Sequence, residues 1–394
     1  MTATAGTTGA RPGGLREMRD RVSTLAASHR SITIIVGWII IATALPVLVL
    51  VPPFSTFQQQ SLWIDGFTNA GVFILLALGL NIVVGFAGLL DLGYAAFYAI
   101  GAYTYAFAAS PTVPWISLHV PFWPMLLVGA AIAAMFGILL GAPTLRLRGD
   151  YLAIVTLGFG EIVPAVFLNA DKVTNGTNGI GGVYKPELLG FQFTLGNPVP
   201  YYVAMVAIIA VVMIFVYRLQ DSRIGRAWMA VREDELAAAS NGVNTVTTKL
   251  LAFALGASTA GLAGVFTASK LTFVSPDQFS FAVSFTILAM VVLGGMGNVW
   301  GVAVGAFILY TIQSVVLKQL NPFFHTLNVP FLKDVDFVQY QFLLYGVALV
   351  AMMLLRPEGL FPSSRRRREL HTEQDEYIGD ELGPDPSSSP IEGV

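Results

Sequence analysis

The chain has 394 residues, of which 55% are hydrophobic and only 12% charged, and its net charge is −2. A soluble domain carries roughly 25% charged residues, so this composition excludes an ordinary soluble protein, and the near-neutral charge gives no argument for nucleic-acid binding. The chain has no cysteine, which excludes disulfides, thiolate metal sites and cysteine nucleophiles.

Long apolar segments follow one another along the chain. A helix needs about 20 apolar residues to cross a bilayer. The sequence predicts ten such helices, at about 32–52, 65–85, 95–110, 122–141, 151–170, 200–217, 249–271, 283–297, 301–319 and 338–355. The third and eighth are short, so they either span fully or form re-entrant or broken helices. The first is too long for the core of a cleavable signal peptide and is predicted to be retained.

The two ends of the chain differ from this apolar centre. Residues 1–31 begin with a Thr/Ala/Gly-rich stretch, and residues 363–394 begin with four arginines and become acidic and rich in Pro and Ser. Neither end can bury a core, so both are predicted to be disordered cytoplasmic extensions. The transmembrane domain is therefore predicted to comprise residues 32–362.

Basic residues predict the orientation. With ten helices both termini lie on the same side, and placing them inside puts every arginine inside, together with Lys249. The outer side then holds the remaining lysines, Lys172, Lys185, Lys270, Lys318 and Lys333. Because inner loops carry an excess of basic residues, both termini and the loop 218–248 are predicted to be cytoplasmic.

Small residues recur at four-residue spacing in two predicted helices. One stripe is Gly129, Ala133, Gly137 and Gly141; the other is Ala252, Gly256, Ala260, Gly264 and Ala268. Such stripes allow close backbone approach in lipid, here between helices of the chain or, alternatively, between subunits. Glycine-interrupted apolar segments at 85–102 and 294–306 are also what inverted repeats produce.

Polar side chains at membrane depth are candidates for a translocation path. Asp91 and Glu161 lie in apolar surroundings, where a carboxylate costs on the order of 3 kcal/mol and needs a partner, water or a proton. Asp91 is equally explained by a turn or a helix N-cap, and Glu161 by a buried hydrogen bond. The candidate path residues are Asn81, Asp91, Tyr94, Tyr98, Thr156 and Glu161.

The sequence gives no support for catalysis. The histidines, His29, His119, His325 and His371, lie in predicted loops or tails without metal-ligand neighbours at helical spacing. No phosphate-binding loop is present, so we expect no bound cofactor or metal and no ATP hydrolysis by this chain. The outer loop 171–198 contains a glycine-rich stretch that is either a docking surface for an external partner or a plain flexible loop.

The predicted inner loop 218–248 contains a short amphipathic helix. Ser222 is a good N-cap and Asn241-Gly242 a good stop signal. An apolar face is predicted to contain Ile224, Ala227, Trp228 and Val231. An exposed helix between two spans suits docking of a partner, and the alternative is a helix lying on the membrane interface.

Several of these motifs together resemble the permease subunits of branched-chain amino acid ABC transporters, and the M-type permease more than its H-type partner. The inner loop resembles the ATPase-contacting loop of ABC permeases. The other similar segments are residues 79–103, 149–161, 178–180, 292–298 and 356–361, and the match covers about 60–362.

The resemblance implies an all-α permease with a type II-like importer fold in a bacterial inner membrane. It also implies an H-type permease partner, two cytoplasmic ATPases that use the ATP, and an external substrate-binding protein. Residues carried over as the ATPase-coupling loop are Gly225, Arg226, Arg232, Glu233, Asp234 and Glu235. Alternatives are a urea or short-amide permease of the same superfamily, and a stand-alone ion- or proton-coupled carrier that uses Asp91 and Glu161.

Overall fold

A computed structural model describes residues 60–112, 120–144, 150–188, 191–194, 196–318, 339–356 and 359–361, together with Gly37. The predicted terminal extensions lie outside the described residues, and so does the predicted span 32–52 apart from Gly37. The described part is a bundle of α-helices with two short pairs of antiparallel strands.

The helices of the bundle follow the apolar segments of the sequence. They are α1 Gln60–Leu80, α2 Ala95–Ala109, α3 Phe122–Thr144, α4 Asp150–Asn169, α5 Asp171–Thr174, α6 Val199–Gln220, α7 Arg223–Glu233, α8 Glu235–Ser240, α9 Thr245–Leu271, α10 Phe281–Gly294, α11 Val299–Thr311 and α12 Gln341–Leu355. A π-helical turn, Asn81–Phe86, continues α1, and a second one, Ile312–Val316, continues α11. Short 3-10 turns lie at Gly176–Asn178 and Pro276–Phe279.

The predicted count of ten membrane spans is not confirmed by the described residues. Among the described residues six helical segments are long and apolar enough to cross a membrane: Ser61–Phe86, Phe122–Thr144, Tyr151–Asn169, Val199–Gln220, Thr245–Leu271 and Pro276–Gly294. The third predicted span, α2, has only 15 residues, or about 22 Å at 1.5 Å per residue, which is less than the hydrocarbon thickness of about 30 Å. This helix is thus shorter than a full straight span, and nearly all of its residues are buried.

Helix α9 is the centre of the bundle and packs against α1, α2 and α3. A Cβ added at Gly101 of α2 would lie 2.4 Å from the carbonyl oxygen of Gly261, and one at Gly261 would lie 2.5 Å from that of Gly129. Both predicted small-residue stripes therefore pack within the chain, because Gly137 of α3 and Gly256 of α9 are also closed in by neighbouring helices. The intrachain interpretation of the stripes is confirmed.

The glycine-rich segment after α4 has regular structure rather than that of a plain loop. Asn175 adopts a left-handed conformation with φ of 61°, between α5 and the following 3-10 turn. Strand β1, Ile180–Gly181, then pairs antiparallel with β4, Phe273–Val274, just beyond the end of α9. Strands β2, Glu187–Leu188, and β3, Phe191–Gln192, form the second pair. The pairing of β1 with β4 thereby attaches this segment to the chain just after α9.

Candidate functional site

The predicted amphipathic helix in the inner loop is two helices, α7 and α8. Ser222 caps α7 as predicted, since its hydroxyl accepts a hydrogen bond from the Gly225 amide at 3.2 Å. The helix ends at Asp234, whose extended backbone lets its carboxylate accept from the amides of Leu236 and Ala237 and so cap α8. We missed this break, although an aspartate followed by Glu-Leu-Ala is an N-cap pattern.

One side of α7 anchors the loop to the bundle. Trp228 is fully buried, and its indole nitrogen donates to the Thr248 carbonyl at the start of α9 over 2.7 Å. Val231 and Gly225 are also buried, and a Cβ at Gly225 would lie 2.3 Å from the carbonyl oxygen of Gln220. Ile224, predicted on the same apolar face, is 38% exposed.

The other side of α7 and α8 is open to solvent. Arg226, Glu233 and Asp234 are exposed, and Arg226 donates to the Asp221 carbonyl at 2.8 Å. These residues retain the exposed position predicted for a coupling surface. We call the pair of helices, Arg223–Ser240, the docking loop.

Two predicted coupling residues face the bundle instead. Arg232 donates from Nη1 to the Gly85 carbonyl at 2.6 Å. Glu235 forms an ion pair of 2.6 Å with Lys249 of α9, whose side chain is only 7% exposed. Both side chains are half-buried, and each uses its charge to attach the docking loop to a helix of the bundle. Their carried-over role in ATPase coupling stays a prediction.

Three segments that are distant in sequence meet beside this attachment. The Asn81 side-chain oxygen accepts from the Gly297 amide at 2.8 Å, which joins the π-helical turn of α1 to the glycine turn after α10. Asn298 caps α11 and donates from Nδ2 to the Phe361 carbonyl at 2.9 Å. We call these residues, with Gly85, the junction. The motifs are visible in the sequence, whereas their contact is not.

Asp91 organises the turn between the π-helix and α2. It is 2% exposed, and one carboxylate oxygen accepts from the Gly93 amide at 2.9 Å, while no described residue bonds the other oxygen. Thr156 of α4 accepts from the Leu92 amide at 3.0 Å, and Ser284 of α10 accepts from the Ala95 amide at 2.9 Å. The turn thus links α2, α4 and α10, and Asp91 holds its backbone.

The two candidate tyrosines bond to α9. The Tyr94 hydroxyl donates to the Gly256 carbonyl at 2.7 Å and lies 3.0 Å from the Thr259 hydroxyl. The Tyr98 hydroxyl donates to the Thr267 hydroxyl at 3.0 Å, and its ring packs edge-on against Phe279. Both side chains are buried, so they position α2 against α9.

Glu161 is not brought together with Asp91. Thr156 and Gly160 of α4 face the Asp91 turn, whereas Glu161 lies on the exposed side of the same helix near Ile154 and Ile162. Only 22% of the residues in the apolar window of α4 are buried, against 83% in that of α1. A carboxylate on such an open apolar face is suited to a path or a subunit contact outside this chain.

A cleft of about 360 Å³ lies between α2, α3 and α4. Its lining is apolar except for Tyr103 and Thr104 and contains no charged residue. Burying an unpaired charge is strongly unfavourable, so this cleft does not suit a zwitterion. The described residues also contain no group of three His, Cys, Asp or Glu side chains that could hold a metal, and all four histidines lie outside them.

A bundle of apolar helices, several of them long enough to cross a bilayer, defines a multi-pass membrane protein. A family model described as "Branched-chain amino acid transport system / permease component" matches residues 62–354. The chain belongs to this family.

Individual relatives agree with the family model. The high-affinity branched-chain amino acid transport system permease protein LivM of Salmonella typhimurium is 41% identical over 84% of this chain and 76% of its own length. LivM of Escherichia coli K12 is 40% identical over 83% of this chain and 76% of its own. The permease LivH of the same E. coli strain is 24% identical over 78% of this chain and 96% of its own. No solved structure matches.

The buried tyrosines provide a first prediction. Tyr94→Phe removes the hydroxyl that bonds α9, so we expect the free energy of unfolding to fall by about 1 kcal/mol. Tyr201→Phe is the matched control, because that buried hydroxyl has no hydrogen-bond partner among the described residues, and its loss should change stability less. Thermal unfolding of the two purified variants in detergent measures the difference; equal melting temperatures would show that the Tyr94 contacts contribute nothing.

Proposed function

We propose that this chain is one of two permease subunits of an ATP-driven importer for branched-chain amino acids. The chain forms half of the translocation path, and an H-type permease forms the other half. An external binding protein delivers the amino acid. Two separate cytoplasmic ATPases, which hydrolyse the ATP, dock on the loop 218–248 and drive alternating access. The observation that carries this proposal is the docking loop in a chain of this family, anchored by Trp228 and exposing Arg226, Glu233 and Asp234.

The finer architecture belongs to the same proposal. The chain lies in a bacterial inner membrane with ten helices in a type II-like arrangement of inverted repeats, and with both termini in the cytoplasm. Support comes from the basic residues, since every arginine then falls inside. The glycine-interrupted breaks after α1 and α10 meet at the Asn81–Gly297 contact, as paired broken helices do in repeat-built transporters.

The open face of α4 is the proposed side of the path. It places Glu161 among exposed apolar residues, where an isolated carboxylate is costly. A second permease or a water-filled path would supply the polar partners that this chain does not supply in its described part. The substrate's affinity comes from the external binding protein, so this face needs only weak, polar contacts with the amino acid.

The first functional prediction is dependence on separate ATPases. The complete complex in liposomes should accumulate leucine when ATP and the loaded binding protein are present, and omitting the ATPases should abolish uptake. Radiolabelled leucine, urea and acetamide distinguish the substrates in the same vesicles. Robust flux through this chain alone would instead identify a stand-alone carrier, and uptake of urea or acetamide in preference to leucine would identify the amide permease.

Orientation is tested by labelling, for which a cysteine-free chain is well suited. Ala239→Cys, exposed on α8, should react with a membrane-impermeant maleimide only after the cells are opened, because the docking loop is cytoplasmic. Lys185→Cys, exposed between the strand pairs, is the matched position on the opposite side and should react in intact cells. Labelling of both in intact cells, or the reverse pattern, would refute the orientation.

Glu161 is tested by a neutral substitution of the same shape. Glu161→Gln should insert and assemble normally, because it removes a costly charge from an apolar face. Bonds to a charged group are worth about 1.5–3 kcal/mol, so losing one should lower uptake by about tenfold or more. Glu187→Gln, an exposed carboxylate in β2, is the control. Wild-type uptake by the Glu161 variant would remove this residue from the path.

A further inference from the structure

Arg232 occupies an unusual position in the docking loop. It lies in the last turn of α7, yet its guanidinium points into the bundle and donates to the Gly85 carbonyl at 2.6 Å. Gly85 belongs to the buried π-helical turn at the end of α1, a helix that is itself largely buried. This hydrogen bond thus joins an exposed docking helix directly to the backbone of a core helix.

Glycines make room for the Arg232 side chain. Gly88 has φ of +69°, and a Cβ there would lie 2.6 Å from Cγ of Arg232. Gly85 instead makes room for the Asn81–Gly297 hydrogen bond beside Arg232, because a Cβ there would lie 2.1 Å from the Asn81 side-chain oxygen and 2.7 Å from the Gly297 amide nitrogen. The arginine stem therefore rests on bare backbone in a socket, which we define as Gly85 and Gly88, and any larger residue at Gly88 would displace it.

The secondary structure at the socket explains why a side chain can bind there. The last carbonyls of a helix lack intrahelical partners, and Gly85 lies next to the end of the π-helical turn, where its carbonyl accepts from Arg232. π-Helical turns are rare and occur frequently at functional sites. The guanidinium thus supplies a charged donor to a backbone group where α1 stops.

The socket is connected to the other broken segments. Asn81, four residues before Gly85, accepts a hydrogen bond from the Gly297 amide, and the Asn298 side chain donates one to the Phe361 carbonyl. On the other side of the socket, the chain enters the Asp91 turn, where Leu92 is bonded to Thr156 of α4. Arg232 is therefore bonded directly to the end of α1, and successive hydrogen bonds continue from there to the turn after α10 and to α4.

We propose that Arg232 is a positioning residue that transmits movement of the docking loop to the junction and the Asp91 turn, rather than a contact to the ATPase. The inference rests on the proposed function of the loop as the ATPase docking site. ATPase binding is left to the exposed residues, among them Arg226 and Glu233, whereas Arg232 converts loop displacement into displacement of the π-helical turn.

The test uses the complete complex with its ATPases and loaded binding protein. Arg232→Ala should still copurify with the ATPases, but leucine transported per ATP hydrolysed should fall at least tenfold. Hydrogen exchange of the amides in 81–93 should become faster, because the turn loses its guanidinium. Arg232→Lys, which keeps a charged donor on a long stem, should restore part of the uptake. Lys318→Ala, which removes an exposed cation just after the π-helical turn that continues α11, is the control and should leave the ratio unchanged.

Gly88→Ala tests the same contact from the socket side. Its methyl group meets the Arg232 stem and also strains the left-handed backbone of the turn, while the docking helices are unchanged, so it should reproduce the low ratio of transport to hydrolysis with the ATPases bound. Gly88→Ala in the Arg232→Ala background separates the two effects and should add no further loss if the methyl group acts through Arg232. This variant also decides the case if Arg232→Ala does not accumulate in the membrane.

Either of two results overturns the inference. One is wild-type transport per ATP in both Arg232→Ala and Gly88→Ala. The other is loss of ATPase copurification in Arg232→Ala while Gly88→Ala behaves as wild type, which would make Arg232 an ATPase contact. Absence of ATP-dependent uptake by the wild-type complex would instead refute the proposed function itself.

Discussion

Close backbone approach between α9 and its neighbours is the constraint on which the rest of the structure depends. In lipid the hydrophobic effect does not drive helices together, so they associate where small residues let backbones touch. Gly261 of α9 is the clearest case, because it is closed in by α2 at Gly101 and by α3 at Gly129. Helices α1, α2 and α3 are thereby placed around one central helix, and the hydroxyls of Tyr94 and Tyr98 bond to it.

The polar residues at membrane depth act first on the backbone. No water is available in the hydrocarbon core, so a broken helix must find partners for its exposed amides and carbonyls within the protein. The Thr156 hydroxyl accepts a hydrogen bond from the Leu92 amide, and the Asn81 side chain accepts one from the Gly297 amide. The Asn298 side chain donates to the Phe361 carbonyl. The breaks are consequently held by side chains from other helices, and each such bond couples the break to a neighbouring helix. One carboxylate oxygen of Asp91 accepts from the Gly93 amide, and the other has no hydrogen-bond partner among the described residues. That second oxygen is available to water or a proton.

Most of the described helices could be predicted from the sequence, because apolar length and small-residue spacing are local signals. The predicted segments 122–141 and 200–217 correspond to Phe122–Thr144 and Val199–Gln220. The short helix α2 was placed correctly at 95–110, but composition alone cannot tell a buried internal helix from a lipid-facing one. The docking loop was found from its capping residues and amphipathic pattern, which are also local.

Long-range contacts could not be predicted in the same way. Arg232 and Gly85 are 147 residues apart, and the charge-rich segment around Arg232 gives no sign of which charges point inward. The same limit applies to Glu161, because helical periodicity separates the faces of α4 but does not say which face meets the Asp91 turn. Glycines at 85, 88 and 297 were noticed as an apolar repeat, whereas their actual role is to let side chains reach the backbone.

Two ion pairs lie at opposite ends of α9 and connect it to the docking loop and to α1. Lys249 near its start pairs with Glu235 of the docking loop at 2.6 Å, and Lys270 in its last turn pairs with Asp65 of α1 at 2.7 Å and donates to Asn69. Both lysines are almost fully buried, and buried pairs are weak evidence for stability because desolvation offsets the attraction. Breaking one is nonetheless costly, since it leaves a buried charge unpaired. The pairs therefore fix the axial position of a helix of 27 residues, about 40 Å long. Movement of the docking loop relative to α9 would therefore have to break the buried Lys249–Glu235 pair, whereas the Lys270–Asp65 pair attaches the other end of α9 to α1.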